Sequence, residues 1–283
     1  MSQQYSPQRF SLLPPVIKNL LIINVLVYLS TFFGWNTFGV EINDVLRLHY
    51  PGSTDFRFFQ FITYQFAHSS FSHLFFNMFA LWMFGYTIEN IMASKRFLFL
   101  YLVCGIGAAI THYALQFFTI NPVVEQINSI ISNPNIDAIA NFNAEHRFAV
   151  SEFSGPIWAS FNEYKIAFSH LLDNPYDHES IQSCISFLSE YKEYFMNRPN
   201  IVGASGCVYG ILLAFGMLFP NSYVYLYFFV PIKTKWMIIA YIIIELVDGV
   251  FGAGRTNVAH FAHLGGMLFA FIMMKLWKYK KIV

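Results

Sequence analysis

Apolar runs of about twenty residues, broken by short polar turns, recur along this chain. A helix needs about 20 mostly apolar residues to cross the hydrocarbon core of a bilayer. The segments 16–33, 71–91, 97–118, 201–219, 236–250 and 258–277 have that character. Each is read as a helix, because a backbone in lipid must satisfy its own hydrogen bonds. The period-two alternation of a membrane barrel is absent. Pro220 closes the fourth segment, and the short fifth carries Glu245 and Asp248 toward its end. The pattern predicts an all-α, polytopic bundle of six transmembrane helices.

The connections differ in kind. Residues 34–60 join the first two segments, with Pro51-Gly52 as a turn signal. In 221–235, the apolar run 223–230 is too short to cross alone and ends at Pro231, which predicts a re-entrant or interfacial hairpin. Residues 119–200 hold 10 of the chain's 16 acidic residues and are punctuated by Asn-Pro steps at 133–134 and 174–175. Within them Ile181, Cys184, Ile185, Leu188, Tyr191 and Phe195 recur at helical spacing. The expected organisation is a membrane part in 1–118, a helical insertion outside the membrane in 119–200, and a second membrane part in 201–283.

Composition agrees with the pattern. Of 283 residues, 56% are hydrophobic and 12% charged, where a soluble domain carries about 25% charged residues. The net charge is +1, and the only basic run is the tail of Lys275, Lys278, Lys280 and Lys281, which argues against nucleic acid as a partner. Cys104, Cys184 and Cys207 form neither a disulfide framework nor a metal-ligand spacing, so no metal and no cofactor is expected. A polar decapeptide and Pro14-Pro15 precede the first apolar run, and no small-x-small site follows, unlike a cleaved signal peptide. Basic residues concentrate in the tail with Arg9 and Lys18, the turn with Lys95 and Arg96, the turn with Lys233 and Lys235, and the C-terminal tail. The positive-inside rule then puts both termini in the cytoplasm and 119–200 outside, in the cell or inner membrane.

Polar side chains inside a span are costly, which makes them functional candidates. His73 and Asn77 share a helix face, four residues apart. Ser205 lies in Gly203-Ala204-Ser205-Gly206, with Tyr209 one turn on, and His263 lies in Ala262-His263-Leu264-Gly265-Gly266. Taken singly, the small residues are ordinary helix-packing groups and a histidine is an ordinary hydrogen-bonded group. Together, at matched depth near the outer leaflet, they fit acyl transfer. A serine hydroxyl needs a base within hydrogen-bond reach, and His263 can take its proton and return it to a leaving amine. Gly206, Gly210, Gly266 and Ala270 would let the fourth and sixth spans approach. The Asn77 amide, a His73 ring N–H and the Ser205 backbone N–H are suitable donors to an oxyanion. Neither Glu245 nor Asp248 has a spacing relation to His263, so a dyad, with Tyr209 packed on the imidazole, is expected rather than a triad.

These stretches resemble the rhomboid family of intramembrane serine proteases. The likeness extends to Thr63-Tyr64-Gln65-Phe66-Ala67-His68, His73-Leu74-Phe75-Phe76-Asn77 and Pro231-Ile232-Lys233-Thr234-Lys235-Trp236, and covers roughly 16–118 and 201–277. The resemblance implies Ser205 as nucleophile, His263 as base, His73 and Asn77 at the oxyanion, and Tyr209 one turn after the nucleophile. It also implies transmembrane-protein substrates, a small residue before the scissile bond, and lateral access past a mobile fifth span and the loop 248–257. Ala270 stands where Gly is usual, Phe59-Gln60 where Trp-Arg or Trp-Gln is common, and 119–200 is longer than the family's connection. His260 is the rival base, expected to be a structural or rim histidine. His68 is a candidate for ordering the loop before the second span, His112 reads as structural, and Glu89 is expected to pair with an inner-turn base. The alternative class is a non-catalytic rhomboid-like protein that binds client transmembrane helices. Such relatives usually lack nucleophile or base, and both are present here. A transporter is disfavoured by the lack of an inverted repeat or a midplane charge pair.

Overall fold

The computed structural model describes residues 10–226, 229–251 and 259–279. It is mostly helical and divides into two compact units, one drawn from Met1–Leu48, Phe58–His112 and Ile201–Val283, the other from His49–Arg57 and Tyr113–Asn200. In chain order the helices are α1 (Pro15–Phe38), α2 (Ile42–Leu46), α3 (Gln60–Thr63), α4 (Phe71–Met92), α5 (Ser94–Ser132) and α6 (Ile136–Glu145). They continue with α7 (Ile157–Asp173), α8 (His178–Asn197), α9 (Ser205–Leu218), α10 (Thr234–Phe251) and α11 (His260–Leu276).

In the first unit α9 is the central element. It packs against α4, α10 and α11, and α1 packs on α4. Gly206, Cys207, Val208, Gly210, Ile211, Leu212 and Ala214 of α9 are all buried, so the helix is apolar on every side, as expected of one with no outer face. The other helices turn large apolar side chains outward: Leu26, Phe32 and Phe33 on α1, Phe71, Phe75 and Phe76 on α4, Ile243, Ile244 and Val247 on α10. Apolar surface on that scale marks contact with something other than water. By length and composition α1 and α5 are long and apolar enough to cross a membrane, while α9 and α11 are apolar but shorter. Helix α4 is diluted by His73 and Asn77, and α10 by Lys235, Glu245 and Asp248.

One boundary and one contact differ from the sequence expectation, while the hairpin expected in 221–235 is seen as paired strands. Helix α5 does not stop near residue 118 but continues to Ser132, through Pro122. Hydropathy falls at Thr119 and Asn121, yet helical conformation does not require apolar residues; only one intrahelical bond is lost at Pro122, which has no N–H. The segment after α9 forms an antiparallel pair of strands, Tyr223–Leu226 with Val230–Lys233, in which Tyr223 faces Lys233 and Val224 faces Ile232. Among the described residues Glu89 does not pair with a base. Its carboxylate accepts the backbone N–H groups of Val16 (2.9 Å) and Ile17 (2.8 Å) and the Ser94 hydroxyl (2.6 Å). The first turn of α1 has unpartnered N–H groups and the positive end of the helix dipole, and Pro14 supplies no side-chain cap. A carboxylate from α4 does that work instead.

The second unit has its own apolar core. Ile127 and Ile130 of α5, Ile139 and Phe142 of α6, Ile157, Tyr164 and Leu171 of α7, and Cys184, Phe187, Leu188 and Tyr191 of α8 form one cluster. Asn135 caps α6 by accepting the Ala138 N–H at 2.8 Å, and Asp177 caps α8 by accepting the Glu179 N–H at 3.3 Å.

Candidate active site

The first residue of α9 is Ser205, with Ala204 at the N-cap. No side chain caps this end, so first-turn N–H groups point out of the helix at the serine. Gly203, two residues before it, has φ +117°, a conformation that L side chains rarely adopt. Its N–H donates to the Tyr64 carbonyl at 2.8 Å, and the Tyr64 hydroxyl donates to the Gly105 carbonyl at 2.6 Å. The segment that delivers Ser205 is thereby tied to the loop before α4 and to α5.

Helix α11 lies directly against α9. A Cβ placed on Gly266 would sit 2.0 Å from the Gly206 carbonyl oxygen, and one on Gly210 would sit 3.0 Å from the Gly266 carbonyl oxygen. Only backbone without side chains permits that approach. Its result is a hydrogen bond of 2.8 Å between Ser205 Oγ and His263 Nε2. His263 is buried, whereas Ser205 keeps partial exposure, so the hydroxyl remains reachable from outside the pair. Tyr209, one turn along α9, stacks on the imidazole with ring centres 4.2 Å apart and planes 5° from parallel.

Facing this pair, α4 brings His73 and Asn77 to Gly203. The position a Cβ would take on Gly203 lies 2.7 Å from His73 Nε2 and 3.7 Å from Asn77 Nδ2. Asn77 is 7% exposed, and among the described residues its Nδ2 has no hydrogen-bond partner. A buried donor without an acceptor is rare and calls for an explanation; an anion that forms only during a reaction supplies one. The Ser69 hydroxyl lies 3.2 Å from His73 Nδ1. With that hydroxyl donating, the ring proton sits on Nε2, the atom nearest Gly203.

Ser205, His263, Tyr209, His73 and Asn77 therefore come together around the start of α9. His260 does not reach Ser205; its Nδ1 lies 2.8 Å from Glu245 Oε2. His68 stacks edge-on to His73 with ring centres 5.0 Å apart, and its Nδ1 lies 3.3 Å from the Phe66 carbonyl. His112 sits on α5. Asp248 is exposed on α10, but the expectation that no acid meets the base is corrected at Glu245. Its Oε1 lies 3.0 Å from His263 Nδ1. The two residues are on different helices, α10 and α11, so no spacing rule along one helix could expose the contact. Gln65, fully buried, accepts from the Cys207 thiol at 3.3 Å, and in the sequence it stands out only within the motif 63–68. In the loop 248–257, Gly249 lies on α10, while residues 252–258, with Gly252 and Gly254, are outside the described residues, as are Arg9, Lys280 and Lys281.

The family model described as Rhomboid domain matches residues 55–122 and 180–279. The match spans more than half of the chain and includes every residue of the site, and the protein belongs to the rhomboid family of integral membrane proteins. That family generally comprises intramembrane serine proteases and also has inactive members. The matched stretch resumes at residue 180, so most of α8 falls within it. No curated protein matches the chain.

Proposed function

We propose that this protein is an intramembrane serine endopeptidase that hydrolyses peptide bonds in or beside the transmembrane segments of other membrane proteins. The observation that carries the reading is the 2.8 Å contact of Ser205 Oγ with His263 Nε2, set beside the unpartnered Asn77 amide. His263 Nε2 takes the Ser205 proton as Oγ attacks the scissile carbonyl. The oxyanion receives N–H bonds from Asn77 Nδ2, His73 Nε2 and the Ser205 backbone. His263 then gives its proton to the departing amine, and the acyl ester left on Ser205 is released by water activated at the same imidazole.

This chemistry sets conditions on substrate and membrane. A helical peptide bond is shielded, so the substrate helix must unwind locally before attack. The proposed arrangement has six spans, both termini in the cytoplasm and the segment around 119–200 outside, with the site opening to the outer aqueous side. Substrates are single-span or other transmembrane proteins, and the lipid bilayer is the shared solvent.

The test uses purified full-length protein and a fluorescent single-span substrate in liposomes, beside Ser205→Ala and His263→Ala. Each substitution should lower the turnover rate by at least about a thousandfold. Parent-like cleavage by both variants would overturn the assignment. An inert parent that still binds the substrate helix would favour the client-binding alternative. Cysteines placed in 119–200 should label from outside intact cells, and labelling only after permeabilisation would reverse the orientation.

A further inference from the structure

We infer that Glu245 is the positioning acid of this site, fixing His263 in the Nδ1–H tautomer while His260 anchors the same carboxylate from its other oxygen. The inference rests on the reading of Ser205 and His263 as the reacting pair and adds a member that a dyad lacks. Its observations are the contacts that Glu245 makes with α11. Glu245 is 4% exposed on α10, and its two oxygens each meet a different imidazole of α11, Oε1 at 3.0 Å from His263 Nδ1 and Oε2 at 2.8 Å from His260 Nδ1. The Tyr209 hydroxyl faces the same carboxylate.

The geometry decides who donates. A carboxylate has only acceptor atoms, so each imidazole presents Nδ1–H to it. For His263 that leaves Nε2 bare, and Nε2 is the atom 2.8 Å from Ser205 Oγ. The opposite tautomer would set a bare Nδ1 against the carboxylate oxygen, two acceptors with no proton between them, and would occupy Nε2 and so disable the base. When the Ser205 proton moves to Nε2, the imidazole becomes a cation while Nδ1–H stays in place. Its bond to Oε1, already charge-assisted by the carboxylate, then gains a charged donor as well and becomes shorter and stronger than before. A buried carboxylate also needs its lone pairs satisfied. His260 does this for Oε2, which keeps the carboxylate from turning away from His263. The stacked Tyr209 ring limits rotation of the imidazole plane, and Glu245 sets its tautomer; the two constraints are complementary.

The experiment compares the parent with Glu245→Gln, Glu245→Asp and His263→Ala as full-length proteins carrying ¹⁵N-labelled histidine in micelles. The ring ¹⁵N shifts report which nitrogen of His263 carries the proton, with His263→Ala assigning the signal. The parent and Glu245→Asp should show the Nδ1–H form with a downfield, hydrogen-bonded proton, and Glu245→Gln should lose both. In the substrate assay, Glu245→Gln should lower kcat by about 100-fold or more with little change in KM, and Glu245→Asp should recover part of it. A carboxylate that merely latched α10 to α11 would act otherwise. Glu245→Gln would then lose thermal stability, while kcat per molecule titrated by a fluorophosphonate stayed at the parent value; that outcome overturns the inference. An unchanged His263 tautomer in Glu245→Gln overturns it too. A parent that neither cleaves nor takes up the fluorophosphonate defeats the reading of Ser205 as nucleophile, and the ¹⁵N signal still decides the role of Glu245.

Discussion

The two units of this chain place their polar residues in opposite ways. In the unit built on α1, α4, α9, α10 and α11, the buried polar side chains include Asn24, Gln65, His68, Asn77, Glu89, Glu245 and His263. Its surface is crowded with Phe, Leu and Ile. In the unit built on α6, α7 and α8, the core is aromatic and aliphatic, and the charged residues Glu163, Lys165, Glu179, Glu190 and Glu193 lie at the surface or only partly buried. The second arrangement is what the hydrophobic effect produces in water. The first cannot come from that force, because lipid tails are as apolar as leucine; close backbone packing and polar pairs must hold the helices. Adding volume should therefore break one unit, and removing volume should break the other.

The largest effect is expected from Gly266→Ala. The added methyl would lie 2.0 Å from a backbone oxygen of Gly206, which cannot rotate away. Helices α9 and α11 would have to separate, at a destabilisation of about 3 kcal/mol or more. The Ser205–His263 contact should go with it. Thermal unfolding in micelles and fluorophosphonate labelling of Ser205 measure the two losses. A variant that melts and labels like the parent would mean that α9 and α11 are not in backbone contact.

Leu188→Ala is the converse. Leu188 is fully buried among Cys184, Phe187 and Tyr191, and its truncation leaves a cavity worth about 2–5 kcal/mol. Amide exchange in α7 and α8 should accelerate accordingly. Exchange at parent rates would show that this cluster does not hold the unit together.

The same contrast explains what could be read in advance. Helices were legible wherever apolar residues ran on, and the family likeness was legible because its motifs are local: His73 with Asn77, Gly203 to Gly206, His263 with Gly265 and Gly266. The mutual placement of Ser205 and His263 rests on glycines whose purpose is visible in sequence only as smallness. What escaped was pairing between elements. Glu89 is a lone acid in an apolar run and Glu245 shares one with Asp248, and a sequence does not say which face of which helix will meet them. Glu89 found helix N–H groups and Glu245 found two imidazoles. In both cases, among the described residues, a buried acid took donors rather than a fixed cation. The end of α5 escaped for the opposite reason, since hydropathy marks where lipid contact ends and is silent on where a helix does.

The smallest effect separates the units by pH. His146 follows α6, and its Nε2 lies 2.7 Å from the Tyr191 hydroxyl. Rings of Phe142, Phe148 and Phe195 surround it. Burial among them pulls its pKa below the ordinary histidine value of 6.5. The unfolded chain therefore takes up a proton near pH 6.5 while the folded unit still refuses it, and in that window stability falls as pH falls. The contribution is complete above about pH 7. Asp177, whose carboxyl is held below its ordinary value of 3.8 by the Ser180 hydroxyl and the Glu179 N–H, can act only at lower pH. Amide exchange across 136–197, corrected for its intrinsic pH dependence, should thus show weakening between pH 7 and 5. His146→Phe should flatten that slope, because a phenyl ring keeps the packing and has nothing to protonate. An equal slope in the variant would place the acid sensitivity elsewhere and remove His146 from the account of how an aqueous core differs from one built for lipid.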